Sequence, residues 1–197
     1  VALCVAHATE VLGGQPDSIQ VSLSANVLKN AMGVGIPGTG MVGLPIAIAL
    51  GAIVGKSSYR LQVLDDCTPE AVAKGREYIE QGRISISLDK NACDNLFVDV
   101  VCKREGHRSE AIIANQHTRL VYLCCDNNVI LDERSALNGA SVSDNENTLS
   151  LKEVFDFATQ TPIEHLQFIN EARVLNEHVA QEALKGNYGH ELGKTLT

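Results

Sequence analysis

The stretch GVGIPGTGMVGLPIAIALGAIVG, residues 33–55, runs for 23 positions without a charge, and it restricts the possible folds more than any other part of the chain. As one helix, rising about 1.5 Å per residue, it would extend about 34 Å and cross a bilayer core of about 30 Å. Seven of its residues are Gly and two are Pro. Each interior Gly costs a helix about 1 kcal/mol relative to Ala and each Pro about 3 kcal/mol, so the first half is loop. Leu44–Val54 remains, with Pro45 in the first turn where its missing N–H does no harm, and reads as one buried helix rather than a membrane span.

The other 174 positions have to bury that helix (197 − 23). The chain is 45% hydrophobic but only 4% aromatic and has no Trp, so Val, Ile, Leu and Ala build the core. A net charge of −8 and the shortage of aromatic rings exclude a nucleic-acid surface, which needs clustered Lys and Arg with stacking platforms. The six cysteines, Cys4, Cys67, Cys93, Cys102, Cys124 and Cys125, contain no C-x-x-C pair, which removes the common zinc patterns. With no secretory signal, they read as free thiols in a reducing cytoplasm. The opening VALCVAHATEVLGG starts inside an apolar helical pattern without Met, as a trimmed chain would.

Periodicity predicts an α+β fold: helices with a Gly-rich loop, packed beside a small, mainly antiparallel sheet, and followed by C-terminal helices. A helix over 1–12 stops at Gly13-Gly14, and 18–27 alternates like a strand. A short strand is expected at 59–64, then a helix capped by Thr68 with Pro69 at its first position, ending near Gly82. From residue 83 four β-type runs, RISISL, LFVDVVCKR, SEAIIANQ and RLVYLCC, are punctuated by turn signals at Asp89-Lys90-Asn91, Glu105-Gly106 and Asp126-Asn127-Asn128. Two capping boxes, Ser150–Glu153 and Thr161–Glu164, open helices, the second running to about Leu184 with an amphipathic face that must pack on something. The resulting segments are 1–66 (helices and Gly-rich loop), 67–132 (sheet subdomain), 133–149 (loop or linker) and 150–197 (helical).

Gly33–Gly38 formally matches G-x-G-x-x-G, but Pro37 removes an N–H from the loop and no acidic residue follows at the distance a dinucleotide fold requires. Gly51–Ser57 imitates a phosphate loop yet is one residue short and ends a helix instead of beginning one. Pro37-Gly38-Thr39-Gly40 precedes a helix, where backbone N–H groups suit a carboxylate; tight backbone packing explains the same glycines equally well. Asn26, Lys29 and Asn30 are polar points ahead of that loop, and Lys29 either grips a carboxylate or is simply solvated. His107 and His117-Thr118 fall at strand ends, where an imidazole serves as base or ligand or merely meets water. His165, His178 and His190 lack metal-ligand spacing.

Taken together, SANVLKNAMGVGIPGTGMVGLPIAIALGAIVGKS, VLDDCTPEAV, RISISL and NYGHELGK resemble the serine dehydratase alpha-subunit family, in the branch of uncharacterised proteins that includes L-cysteine desulfidase. The resemblance runs over nearly the whole chain and is most specific in Asn26–Ala47. It implies a β-eliminating lyase acting on L-serine or L-cysteine, with a [4Fe-4S] cluster in the parent protein. Family members carry one ligand cysteine in a Gly-Cys-Thr-Glu-Pro motif upstream of the segment matching Val1, and the others in a C-terminal half. Neither region stands in this sequence, and Cys67 matches a different segment, so the resemblance implies an N-terminal portion without its cluster. Asn26, Lys29, Gly38, Thr39 and Gly40 are the candidates for holding the substrate carboxylate, with His117 and Thr118 as a wall of the same cleft. No metal ligand and no catalytic base is assigned. The expected partners are a small L-amino acid and either a second copy or the missing half, with neither nucleic acid nor membrane; the rival reading is a non-catalytic amino-acid-binding or assembly domain.

Overall fold

A computed structural model describes residues 1–90, 92, 96–137, 149–186 and 191–196. Residues 1–141 form one compact unit and 142–197 a second.

In the first unit the chain begins with α1 (Ala2–Leu12), which ends at Gly13 in the left-handed conformation (φ 79°). It continues into β1 (Ser18–Leu23), α2 (Ala25–Ala31), a two-stranded hairpin of β2 (Gly35–Ile36) and β3 (Met41–Val42), and α3 (Leu44–Ile53). After a 3-10 turn over Ser57–Gln62 come α4 (Pro69–Glu80), β4 (Ile84–Leu88), β5 (Phe97–Arg104), β6 (His107–Ala114), β7 (Leu120–Cys125) and β8 (Asn128–Asp132). The fold is α+β, with a six-stranded sheet in the order β4-β1-β5-β6-β7-β8. Among the described strands only the β1–β4 pair is parallel, with Ile19 opposite Ile84; Val21 faces Val100 across the antiparallel β1–β5 pair. Because β1 lies between β4 and β5, the segments 1–66 and 67–132 share one sheet.

Alternation decides which sheet face is dry. Ile19, Val21, Leu23, Val98, Val100, Cys102, Ala111 and Ile113 are buried with the α1 residues Leu3, Cys4, Val5 and Ala8. Helix α3 packs against α1 and α4 against α3. Eight of the ten residues of α3 are buried, as a helix inside a core requires, and at about 15 Å it is too short to cross a bilayer. No helix among the described residues is long and apolar enough to do so. Two buried hydroxyls tie the layers together: Ser109 donates to the Ala8 carbonyl and Tyr78 to that of Pro16, both at 2.7 Å.

The departures from the sequence reading have local causes. The strand expected over 18–27 stops at Leu23, because Ser24 turns the chain by exchanging hydrogen bonds with the Phe97 backbone, and α2 begins at Ala25. The strand expected over 59–64 is instead the 3-10 turn: the Lys56 N–H donates to the Val63 carbonyl and closes the segment on itself, leaving it no neighbouring strand. Strand β8, whose Val129 and Ile130 are half exposed, carries no alternation that would announce it.

In the second unit, α5 (Leu151–Gln160) is opened by the Ser150–Glu153 capping box. Thr161 closes α5 rather than capping a new helix; Pro162 leads a 3-10 turn over Ile163–Leu166, and α6 (Gln167–Lys185) follows. A short α7 (Leu192–Leu196) comes last. Cys93, His190, most of the predicted 133–149 loop and the Asn91 end of one predicted turn lie outside the described residues.

Candidate functional site

Three local features of the first unit converge on one cleft. Helix α2 has no buried residue and carries Asn26 and Asn30 one turn apart, their amides 3.4 Å from each other. The β6–β7 turn is pinched by the Ala114 N–H donating to the Arg119 carbonyl and by Asn115 at φ 67°, and it presents His117 at its crest. The hairpin of β2 and β3 returns the chain to α3, with the Gly43 N–H donating to Val34 at 2.8 Å.

Two adjoining cavities result. One, of about 300 Å³, is lined by Asn26, Asn30 and His117 against Val27, Leu96, Val98 and Ile113. The other, of about 430 Å³, is lined by Arg60, Gln62, Asp65 and His117 against the apolar Val34, Pro37, Leu44 and Ala47. His117 lines both.

Of the residues singled out from the sequence, Asn26 and His117 are therefore brought together, with Asn30 beside them. Lys29, Gly38, Thr39, Gly40 and Thr118 line neither cavity. Thr39 is buried at the hairpin tip, where its hydroxyl donates to the Ile36 carbonyl at 2.7 Å and accepts from the Met41 N–H at 3.0 Å. Gly38 and Gly40 supply the positive φ angles of that tip, 76° and 63°. The Gly-rich loop is thus a structural hairpin whose ends and Pro37, rather than its Gly38–Gly40 tip, border the larger cavity.

Sequence reasoning passed over Arg60 and Asp65. Arg60 has φ 53° and ψ −117°, a backbone conformation that a non-glycine residue adopts at a cost of order 1–3 kcal/mol and keeps only where its surroundings enforce it. A short apolar-polar alternation, YRLQVL, concealed it as a strand residue.

Whether these residues fit an iron–sulfur cluster turns on the thiols. Cys4 is fully buried, donates to the Ala111 carbonyl at 3.1 Å, and is pushed far above the usual thiol range by burial. Burial likewise raises Cys102 to about 12. These are neutral core thiols and not the thiolates a cluster needs. Among the described residues no three His, Cys, Asp or Glu side chains gather where they could hold a metal ion. Cys4 and Cys102 therefore do not fit such a group, and no other set of side chains among the described residues does.

Two other ionisable features stand apart from the cleft. His107 Nδ1 is 2.8 Å from Asp126 Oδ2, an exposed pair at the turn end of β6. Asp99 on β5 has a buried Oδ1 without a hydrogen-bond partner; desolvation first, and the nearby Glu110 second, raise its carboxyl to about 6.

Comparison with known proteins finds relatives that match the whole of this chain. A UPF0597 protein of Phocaeicola vulgatus is 52% identical over 196 residues, which is 100% of this chain and 45% of that protein. The chain is similar to UPF0597 proteins along its whole length. The UPF0597 protein of Bacteroides thetaiotaomicron is 50% identical over 196 residues and that of Porphyromonas gingivalis 39% over 201, each matched over 46% of its own length. The chain thus spans about half the length of the UPF0597 relatives it matches. No family model and no solved structure matches. The resemblance drawn above to the serine dehydratase alpha-subunit family is corrected by these matches: the sequence that carried it is aligned along its full length with proteins named UPF0597.

Proposed function

We propose that the protein to which these residues belong is a lyase that eliminates the β-substituent of a small L-amino acid, L-serine or L-cysteine, releasing pyruvate and ammonia, with sulfide from cysteine. The observation that carries this reading is the meeting of His117 with the Asn26 and Asn30 amides around a cavity of about 300 Å³. The two adjoining cavities that His117 lines together have room for one small zwitterion. The amides offer both donors and acceptors, and Val27, Val98 and Ile113 supply an apolar wall.

His117 is the base: its imidazole takes the α-proton, the freed electron pair forms the Cα–Cβ double bond, and the Cβ–O or Cβ–S bond breaks. The leaving hydroxide or hydrosulfide takes up the proton that His117 received and departs as water or hydrogen sulfide. The aminoacrylate tautomerises to an imine, whose hydrolysis gives pyruvate and ammonium. The described residues do not fit a [4Fe-4S] cluster, and a cluster in the whole protein would take its ligands from outside them. A cytoplasmic setting goes with this chemistry. The exposed apolar side chains of α5 and α6, Phe155, Phe157, Phe168, Leu175 and Val179, are in keeping with association with a second copy or with further chain.

Proton exchange tests the base. With the whole protein in D2O, the α-proton signal of L-serine is expected to decay with wild type and to persist with His117→Ala. Persistence with wild type, despite measurable serine binding, turns the site into an amino-acid-binding module.

A further inference from the structure

The larger cavity holds two charged groups that the elimination step does not use. Its lining includes the residues Arg60 and Asp65. Neither makes an ion pair among the described residues, whereas the neighbouring charges are spoken for: Lys56 pairs with Asp66, and Glu10 accepts from both the N–H and the hydroxyl of Ser57.

Those neighbouring contacts explain the backbone at Arg60. Ser57 is tied to α1 through Glu10, Val63 is buried, and the Lys56 N–H bonds the Val63 carbonyl, so the arch between them is fixed at both ends. Its kink falls on Arg60, at φ 53° and ψ −117°, where glycine would sit without strain. The Arg60 side chain is exposed and adds nothing to the core. A strained position filled by a long, unpaired cation at a cavity wall points to a ligand for that cation.

We propose that Arg60 and Asp65 form the recognition end of the cleft, Arg60 binding the α-carboxylate and Asp65 the α-ammonium of a free amino acid. This rests on the reading of His117 above, and it deepens that reading by requiring a substrate with both charged groups. One cation and one anion on the wall match a zwitterion and reject an amine or an acid alone, because each analogue leaves one charge unanswered. His117 lines both cavities, so a substrate held by Arg60 and Asp65 would present its α-carbon and β-substituent toward it.

Calorimetry on the whole protein tests this with L-serine, ethanolamine (no carboxylate) and 3-hydroxypropionate (no ammonium). Wild type is expected to bind L-serine at least about tenfold more tightly than either analogue. Arg60→Gly is expected to raise the melting temperature, by relieving the strained backbone, while lowering L-serine affinity at least about tenfold; Arg60→Gln lowers affinity without that rise. Asp65→Asn is expected to weaken L-serine but leave 3-hydroxypropionate binding unchanged. Unchanged serine affinity in Arg60→Gly and Arg60→Gln overturns the recognition end alone. Failure of wild type to bind either L-serine or L-cysteine overturns it together with the reading of His117.

Discussion

Gly51 sits where α3 crosses α1, and replacing it with Ala separates two opposing effects. A Cβ built there would lie 2.8 Å from the Ala2 carbonyl oxygen and 3.1 Å from Val5 Cβ. The first of these neighbours is backbone, held in the helical ladder of α1, so it yields only if the whole helix moves off α3. Helix propensity favours Ala over Gly by about 1 kcal/mol. Overpacking a tight core costs about 1–3 kcal/mol, and a backbone neighbour places Gly51→Ala toward the upper end. The net expectation is a loss of about 1–2 kcal/mol, or a melting temperature lower by about 2–8 °C for a chain of this size. Gly75 in α4 is the control. Its Cβ would meet the Ile46 Cδ1 methyl at 3.0 Å, the free end of a side chain that can rotate aside, so Gly75→Ala is expected to be neutral or stabilising. Thermal melts followed by circular dichroism, with urea titration to confirm the order, read both. A Gly51→Ala protein as stable as wild type, or more stable than Gly75→Ala, would refute the close helix crossing.

Three further outcomes follow from single groups. The Asp99 carboxyl, raised to about 6 in the fold against about 3.9 in an unfolded chain, holds its proton more tightly when folded, so its contribution is complete at pH below about 4 and is lost as pH rises through about 6. Asp99→Asn is therefore expected to add about 1–2 kcal/mol at pH 7.5 and nothing at pH 4, as read by urea melts; equal effects at both pH values would contradict the assigned burial. Ser109→Ala leaves the buried Ala8 carbonyl without its 2.7 Å donor and should cost about 1–3 kcal/mol in the same assay. Ser150→Ala removes the cap whose hydroxyl accepts from the Glu153 N–H, and is expected to cost α5 about 1 kcal/mol, visible as faster amide exchange over Leu151–Val154 with the sheet unaffected.

How much of this was legible in the sequence depended on whether a residue's role is local. Gly13, Thr68 with Pro69, and Ser150 with Glu153 act within a few positions of themselves, and each marks a helix end where expected. The buried helix from Leu44 also declares itself, because an uncharged apolar run after a Gly-rich segment has only one economical home. Ser24 does not, since the Phe97 backbone that redirects it is 73 positions away. Nor does Thr161, which looks like a cap but closes the preceding helix. At the candidate site, Asn26 and His117 were identifiable as polar points at element ends, yet their meeting depends on the β1–β5–β6 pairing. Arg60 was hidden because its signal is a φ angle enforced by the anchoring of Ser57 on Glu10, 47 positions away, and of Val63 in the core, which the residue types around it do not announce.

The measurement that bears most directly on the account is product release by the whole protein, anaerobically reconstituted with iron and sulfide: pyruvate from L-serine beside pyruvate and sulfide from L-cysteine, with wild type and His117→Ala. The account predicts turnover of at least one of the two amino acids by wild type and its loss in His117→Ala at an unchanged melting temperature. No pyruvate from either amino acid, or undiminished pyruvate from His117→Ala, would contradict it.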